Sequence, residues 1–268
     1  MGALRVGDIV TRRSYGEDLL FRIVNITRDE NRIEHYTLRG LSTRIAADST
    51  SEDLLIQNSR TAYARLQMEL TSMNRNLKSD SGIRKFITRI KKKPGKILQI
   101  DSAEDFLKRS LNLYKQSSID CVGKWVSENR QSEVVEQYIK SYKPDILVIT
   151  GHDGIKKNCK NINAIDSYAN SGFFIDSVKL ARNIEPDPEK LFIFAGACQS
   201  YYEAIIQAGA NYASSPKRVL INALDPGIVA QKFSITDNEI TLIPNDVIPL
   251  TITGADGIGG KPTIGRMK

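Results

Sequence analysis

Two short segments of this 268-residue chain carry the side chains best suited to chemistry. One is Ile149-Thr150-Gly151-His152-Asp153-Gly154, and the other is Phe194-Ala195-Gly196-Ala197-Cys198-Gln199-Ser200. Each closes a run of β-branched and aromatic residues (145–150 and 190–196), the pattern of strands buried on both faces. Groups just past the carboxyl ends of parallel strands face a crevice lined by backbone donors, where open α/β sheets gather their ligands. A cysteine in that position can act as a nucleophile if an imidazole and a helix N-terminus favour its thiolate. A helix expected over 199–208 would set Cys198 at the positive end of its dipole.

Histidine order narrows the chemistry. Only His35 and His152 are present, and both precede Cys198. The match of Gly196-x-Cys198-x-Ser200 to a nucleophile elbow therefore lacks the downstream histidine that class I glutamine amidotransferases and α/β-hydrolase-type enzymes require. A caspase-like arrangement instead places its histidine on an upstream strand about 50 residues before an Ala-Cys pair; here the separation is 46. His152 is then the general acid toward the leaving amine, and the backbone N–H groups of Asp153, Gly154 and Cys198 hold the oxyanion. Taken singly, Cys198 reads as a small core residue and His152 as a polar loop residue; their joint placement past two consecutive strands favours catalysis. The pair must face one cleft open to a polypeptide.

The elements that position these groups follow from periodicity. Residues 1–57 alternate short β-like runs with turn signals, which suggests a small SH3-like β-barrel. Residues 58–93 form a basic linker, helical over about 62–77 and closed by Lys91-Lys92-Lys93. Residues 94–268 alternate strands (96–100, 118–126, 145–150, 190–196) with helices (102–116, 128–142, 173–183), which implies a mostly parallel sheet flanked by helices. Ser102 is the expected N-cap of the first helix. Residues 210–216 are expected to extend the sheet, 219–234 to be a helix broken near Asp225-Pro226-Gly227, and 247–253 to be a last strand. The Gly259-Gly260-Lys261 stretch is not a P-loop, because Pro262 stands where Ser or Thr is needed.

Composition sets outer bounds. No apolar run approaches the roughly 18 to 20 residues of a membrane span, and the first ten residues do not read as a signal peptide, so a cytoplasmic protein is expected. Cys121, Cys159 and Cys198 lack CxxC spacing, which argues against a disulfide framework and a structural zinc site; neither metal nor cofactor is expected. The net charge of +7 points only weakly to acidic partners, and with no recognition motif nucleic acid is not an expected partner. Oligomeric state is not legible. His35, Cys121 and Cys159 read as structural or incidental.

The chain resembles the YabG family, the sporulation-specific cysteine peptidases of endospore-forming Firmicutes. The matching stretches are Val6-Gly7-Asp8, Leu19-Leu20-Phe21-Arg22-Ile23, Pro94-Gly95-Lys96-Ile97-Leu98, the run from Lys143 to Asp153, the run from Phe194 to Ser200, Ala208-Gly209-Ala210-Asn211 and Ala213-Ser214-Ser215-Pro216. The resemblance implies an endopeptidase of the mother cell that trims spore coat and spore assembly proteins, cuts after arginine and can process itself, with His152 and Cys198 at the positions of the catalytic pair. The clan's usual His-Gly is His152-Asp153-Gly154 here. Arginine specificity calls for a carboxylate in the S1 pocket, because a buried guanidinium must be paired. Asp101 is the first candidate, followed by Asp153 and Asp225. Self-cleavage is expected between Arg60 and Arg89. A non-catalytic assembly scaffold that binds acidic partners or RNA, and a small-molecule hydrolase on a flavodoxin-like sheet, are the competing readings.

Overall fold

A computed structural model describes residues 3–65, 68, 92–157 and 159–268. The fold is mixed α/β. Five N-terminal strands, β1 (Ile9–Arg12), β2 (Phe21–Arg28), β3 (Glu34–Gly40), β4 (Ala46–Thr50) and β5 (Leu54–Ile56), form an antiparallel sheet in the order β4-β3-β2-β1-β5. Period-2 alternation turns Val10, Phe21, Ile23, Tyr36 and Leu38 inward onto one core. Residues 59–65 are helical; most of the remaining linker, with Arg75, Arg84 and Arg89, lies outside the described residues.

The larger sheet contains β6 (Ile97–Asp101), β7 (Cys121–Trp125), β8 (Ile146–Thr150), β9 (Phe192–Ala195), β10 (Tyr212–Ser214) and β12 (Ile258–Gly260), in the order β12-β10-β9-β8-β6-β7. All its pairings are parallel except that of β12 with β10. Between the strands run α1 (Glu104–Gln116), α2 (Glu128–Tyr142), α3 (Ser171–Ile184), α4 (Tyr202–Gln207) and α5 (Asp225–Ser234). Each of the longer helices buries one stripe: Gln131, Val135 and Ile139 in α2, and Phe174, Val178 and Ala181 in α3, recur at three- and four-residue steps. Burial of each large apolar side chain contributes about 1.5–3 kcal/mol at most, and the β8 residues Ile146–Ile149, covered on both faces, anchor the two cores.

Chain order fixes where the crevice opens. From β6 the chain moves out to β7 on one side, then crosses back to β8 on the other, so the sheet's switch point lies between the carboxyl ends of β6 and β8. Asp101 ends β6, and Gly151-His152 follow β8.

Several expectations change. Cys198 does not begin a helix: α4 starts at Tyr202, because Gln199 takes a left-handed φ of 56° and Ser200 Oγ turns back to accept Ala197 N–H. The dipole therefore gives Cys198 no helix-start position. Ser102 does not cap α1; its hydroxyl donates to Glu128, and Asp101 Oδ1 takes the orphan N–H of Ala103. Residues 247–253 form no strand, since Pro244 and Pro249 start a helical turn, α6 (Pro244–Val247), and a 3-10 turn over Ile248–Leu250. The closing strand is β12, where a Cβ on Gly260 would stand 2.3 Å from the Tyr212 ring, so the glycines permit close sheet packing. Two short strands, β11 (Thr241–Leu242) and β13 (Thr263–Ile264), pair near the carboxyl terminus. Among the described residues no helix is long and apolar enough to cross a membrane.

Candidate active site

His152 and Cys198 follow the adjacent parallel strands β8 and β9, two residues past Thr150 and three past Ala195. Gly196, at φ 106°, makes the turn that leads from β9 into Ala197-Cys198; a side chain there would be strained and would press on Ile205, Ser200 and Ser214. Both reactive groups are buried, His152 4% exposed and Cys198 fully covered. An open cleft is thus not what the structure presents. The cleft is filled by the chain's own β3–β4 connection, residues 41–45.

The seating of that connection is specific. Arg44 is fully buried, and its guanidinium pairs with both oxygens of Asp101, Nη1 to Oδ1 at 3.0 Å and Nη2 to Oδ2 at 2.9 Å. Nε and Nη2 also donate to Ala223 O at 3.2 and 2.9 Å, and Nη1 reaches Gly151 O at 3.4 Å. Phe106 of α1 lies under the cation, 4.9 Å from its ring centroid. A planar fork whose N–H groups all meet acceptors is the condition under which a buried guanidinium is tolerated. The Arg44 carbonyl accepts from Asp153 N–H at 3.1 Å and from Cys198 N–H at 3.3 Å. Backbone pairing continues on either side. Thr43 bridges Asn222 in antiparallel fashion, Ile45 bridges Asp153 in parallel, and Ala46 N–H donates to Asp153 O at 2.8 Å. Gly154 makes the close approach possible, because a Cβ there would lie 2.3 Å from Ala46 O.

Around the imidazole a second set of groups converges. Glu128, the first residue of α2 and 3% exposed, accepts the backbone N–H of His152 at 2.8 Å and faces its Nδ1 at 3.7 Å. Ser102 donates to Glu128 Oε1, and its Oγ lies 3.5 Å from Nδ1. The other Glu128 oxygen takes Arg39 Nη2 at 2.8 Å, a second link to the N-terminal sheet. Burial alone would raise the Glu128 carboxyl, but its hydrogen bonds to His152 and Ser102 and the positive charge of Arg39 outweigh it and hold the group at about 2. Burial lowers His152, with the Glu128 contact opposing. Cys198 Sγ accepts Ile221 N–H at 3.2 Å and packs among Ile45, Ile221 and the inward face of the N-terminal sheet. Burial pushes its thiol up to about 12, so beneath the connection the sulfur is protonated.

The three carboxylates considered for arginine recognition separate clearly. Asp101 meets a guanidinium. Asp153 spends its oxygens on Gly154 N, Asn170 N, Ser171 Oγ and Ser200 Oγ, and burial lifts its carboxyl to about 6. Asp225 accepts from Ile252 N, Thr253 N and Thr253 Oγ1 at the start of α5. Of the three backbone donors expected at an oxyanion, Asp153 and Cys198 point to one carbonyl, whereas the Gly154 N–H is taken by the Asp153 side chain. Sequence reading passed over Glu128, Ser102, Phe106 and Arg44. Glu128 had a usable signal, since it opens the helix after β7 at the same end of the sheet as the histidine. Arg44 had none, because only the tertiary fold brings residue 44 to residue 101.

The comparison of sequences supplies the class that this fold and cluster serve, a peptidase. The chain belongs to the family described as YabG peptidase U57, whose family model matches residues 5–268. Over 279 residues it is 35% identical to the sporulation-specific protease YabG of Bacillus subtilis (strain 168), covering 98% of this chain and 96% of that protein.

Proposed function

We propose that this peptidase is a caspase-like cysteine endopeptidase that acts in a sporulating mother cell, cutting proteins of the spore coat and of spore assembly after arginine. In this reading residues 94–268 are the peptidase unit, 1–57 an SH3-like accessory module and 58–93 the connection. The observation that carries it is the seating of Arg44: a guanidinium on Asp101, with its own carbonyl on the N–H groups of Asp153 and Cys198. A substrate arginine takes the same place. The Cys198 thiolate attacks its carbonyl carbon, and the two N–H groups stabilise the oxygen as it becomes an anion. Their 3.1 and 3.3 Å contacts to a ground-state carbonyl shorten as the carbon turns tetrahedral. With a proton on Nδ1 of His152 facing Ser102 and Glu128, Nε2 is left to take the proton of the Cys198 thiol and pass it to the leaving amine. Water then hydrolyses the thioester.

The competing reading is a non-catalytic assembly scaffold, favoured by the closed cleft over Cys198. Full-length protein and its Cys198→Ala variant, incubated with an arginyl reporter peptide, separate the two. Turnover in the wild type alone is expected; turnover that persists in the variant removes Cys198 from the chemistry.

A further inference from the structure

The β3–β4 connection does not pass over the site as ordinary packing would. It crosses in extended form, pairs its backbone with Asn222 on one side and Asp153 on the other, and drops one long side chain into a fitted polar pocket. Such a register presents one peptide bond to the Cys198 side of the cleft. We propose that Arg44–Ile45 is the bond this protein cuts in itself, and that the cut converts a self-blocked molecule into one open to other substrates. The inference rests on the arginine-directed cysteine peptidase reading above.

Of the linker arginines expected from sequence, the two among the described residues make a weaker case. Arg60 and Arg65 lie on the surface, with Arg65 donating to Asp18 O at 2.5 Å, whereas Arg44 fills the pocket. Chemistry at Arg44 balances with one water. Cys198 Sγ adds to the Arg44 carbonyl carbon as its proton leaves. The bond from that carbon to Ile45 N breaks with a proton delivered to the nitrogen, and water cleaves the thioester to leave an Arg44 carboxylate, a free Ile45 amine and the restored thiol. The scissile bond and the nucleophile belong to one folded chain, so the reaction is unimolecular. Burial of the sulfur makes it slow, since the thiolate must form beneath the covering segment. Once the bond is cut, Arg44 is a chain end, free to leave Asp101 by movement of residues 41–44 alone.

The test uses the full-length protein. Purified wild type is incubated over time and read by intact mass and N-terminal sequencing, in parallel with turnover of the arginyl reporter. Support requires a new terminus reading Ile-Ala-Ala-Asp, a first-order rate unchanged by serial dilution, loss of the terminus in Cys198→Ala, and a rise in reporter turnover that follows the cut. A wild type that turns over the reporter with Arg44–Ile45 intact, or with a different bond cut, overturns the self-cleavage proposal and leaves the peptidase reading standing. Absence of both the cut and reporter turnover sinks the peptidase reading itself. Arg44→Gln, if it folds, loses the Ile45 terminus; retention of that terminus also refutes the proposal.

Discussion

Asp101→Asn isolates the group on which the proposed arginine recognition rests. Each Asp101 oxygen carries two contacts: Oδ1 takes Arg44 Nη1 and Ala103 N–H, and Oδ2 takes Arg44 Nη2 and Gln99 Nε2. Asparagine keeps one oxygen, which can still serve Ala103, but it turns an amide N–H₂ toward the remaining donors and removes the charge. Loss of one partner from a fully buried pair costs about 3–5 kcal/mol; at about 1.4 kcal/mol per tenfold, a substrate arginine in this place loses about 10²- to 4 × 10³-fold in kcat/KM. A citrullyl reporter, nearly the same shape without the charge, should change little, so the ratio of arginyl to citrullyl kcat/KM collapses. Circular dichroism and urea denaturation must accompany the kinetics, because the same substitution unpairs Arg44 and lowers stability in the uncut protein. An Asp101→Asn enzyme that is folded and keeps its arginyl preference within a few fold would refute the reasoning and move recognition to another group.

Glu128→Gln retains an acceptor for His152 N–H but removes the anion beside Nδ1; kcat is expected to fall with KM little altered, as steady-state kinetics on the arginyl reporter would show. The same carboxyl sits at about 2 in the folded protein against an ordinary 4.5, so its stabilisation is complete above pH 4.5 and drains away as pH falls toward 2. That contribution is worth up to about 3 kcal/mol, and urea midpoints across this range should decline less steeply in Glu128→Gln. Gly154→Ala drives a methyl to within 2.3 Å of Ala46 O, so the β3–β4 connection should lift from the cleft, read as faster alkylation of Cys198. In the uncut wild type, iodoacetamide should modify the half-buried Cys121 and Cys159 well before Cys198, as peptide mass mapping would reveal.

Strands and helices of the larger sheet were legible because their apolar runs have one period and clear ends. Strand β8, expected over 145–150, forms over 146–150, and the helix expected over 128–142 spans those residues. Legibility failed where local pattern yields to close contact. Gly259 and Gly260 resemble a loop in sequence, yet form an edge strand because Tyr202 and Tyr212 occupy the space a side chain would need. The segment 247–253 alternates like a strand, but Pro249 cannot donate to a ladder and the chain turns instead. At the site, His152, Cys198 and Asp101 could be singled out because each sits at a strand end, where sheet topology gathers functional groups. Glu128 could have been added from its place at the start of the helix after β7, whereas Ser102 could not be distinguished from an ordinary helix-start residue, and Arg44 stands 57 residues from the carboxylate it meets, beyond the reach of any periodicity.

If a substrate arginine takes the place of Arg44 as proposed, the ladder contacts flanking residue 44 carry a consequence for what this protein can recognise in others. A guest chain held by Asn222 on one side and Asp153 on the other, and pressed close over Gly154, has to be straight for at least four residues. An arginine wound into a helix, or locked inside a neighbour's sheet, offers no free edge and goes unread. On the proposed reading, which arginines are cut is decided as much by the folding state of the target as by its sequence, so sites emerge or vanish as partners assemble around them.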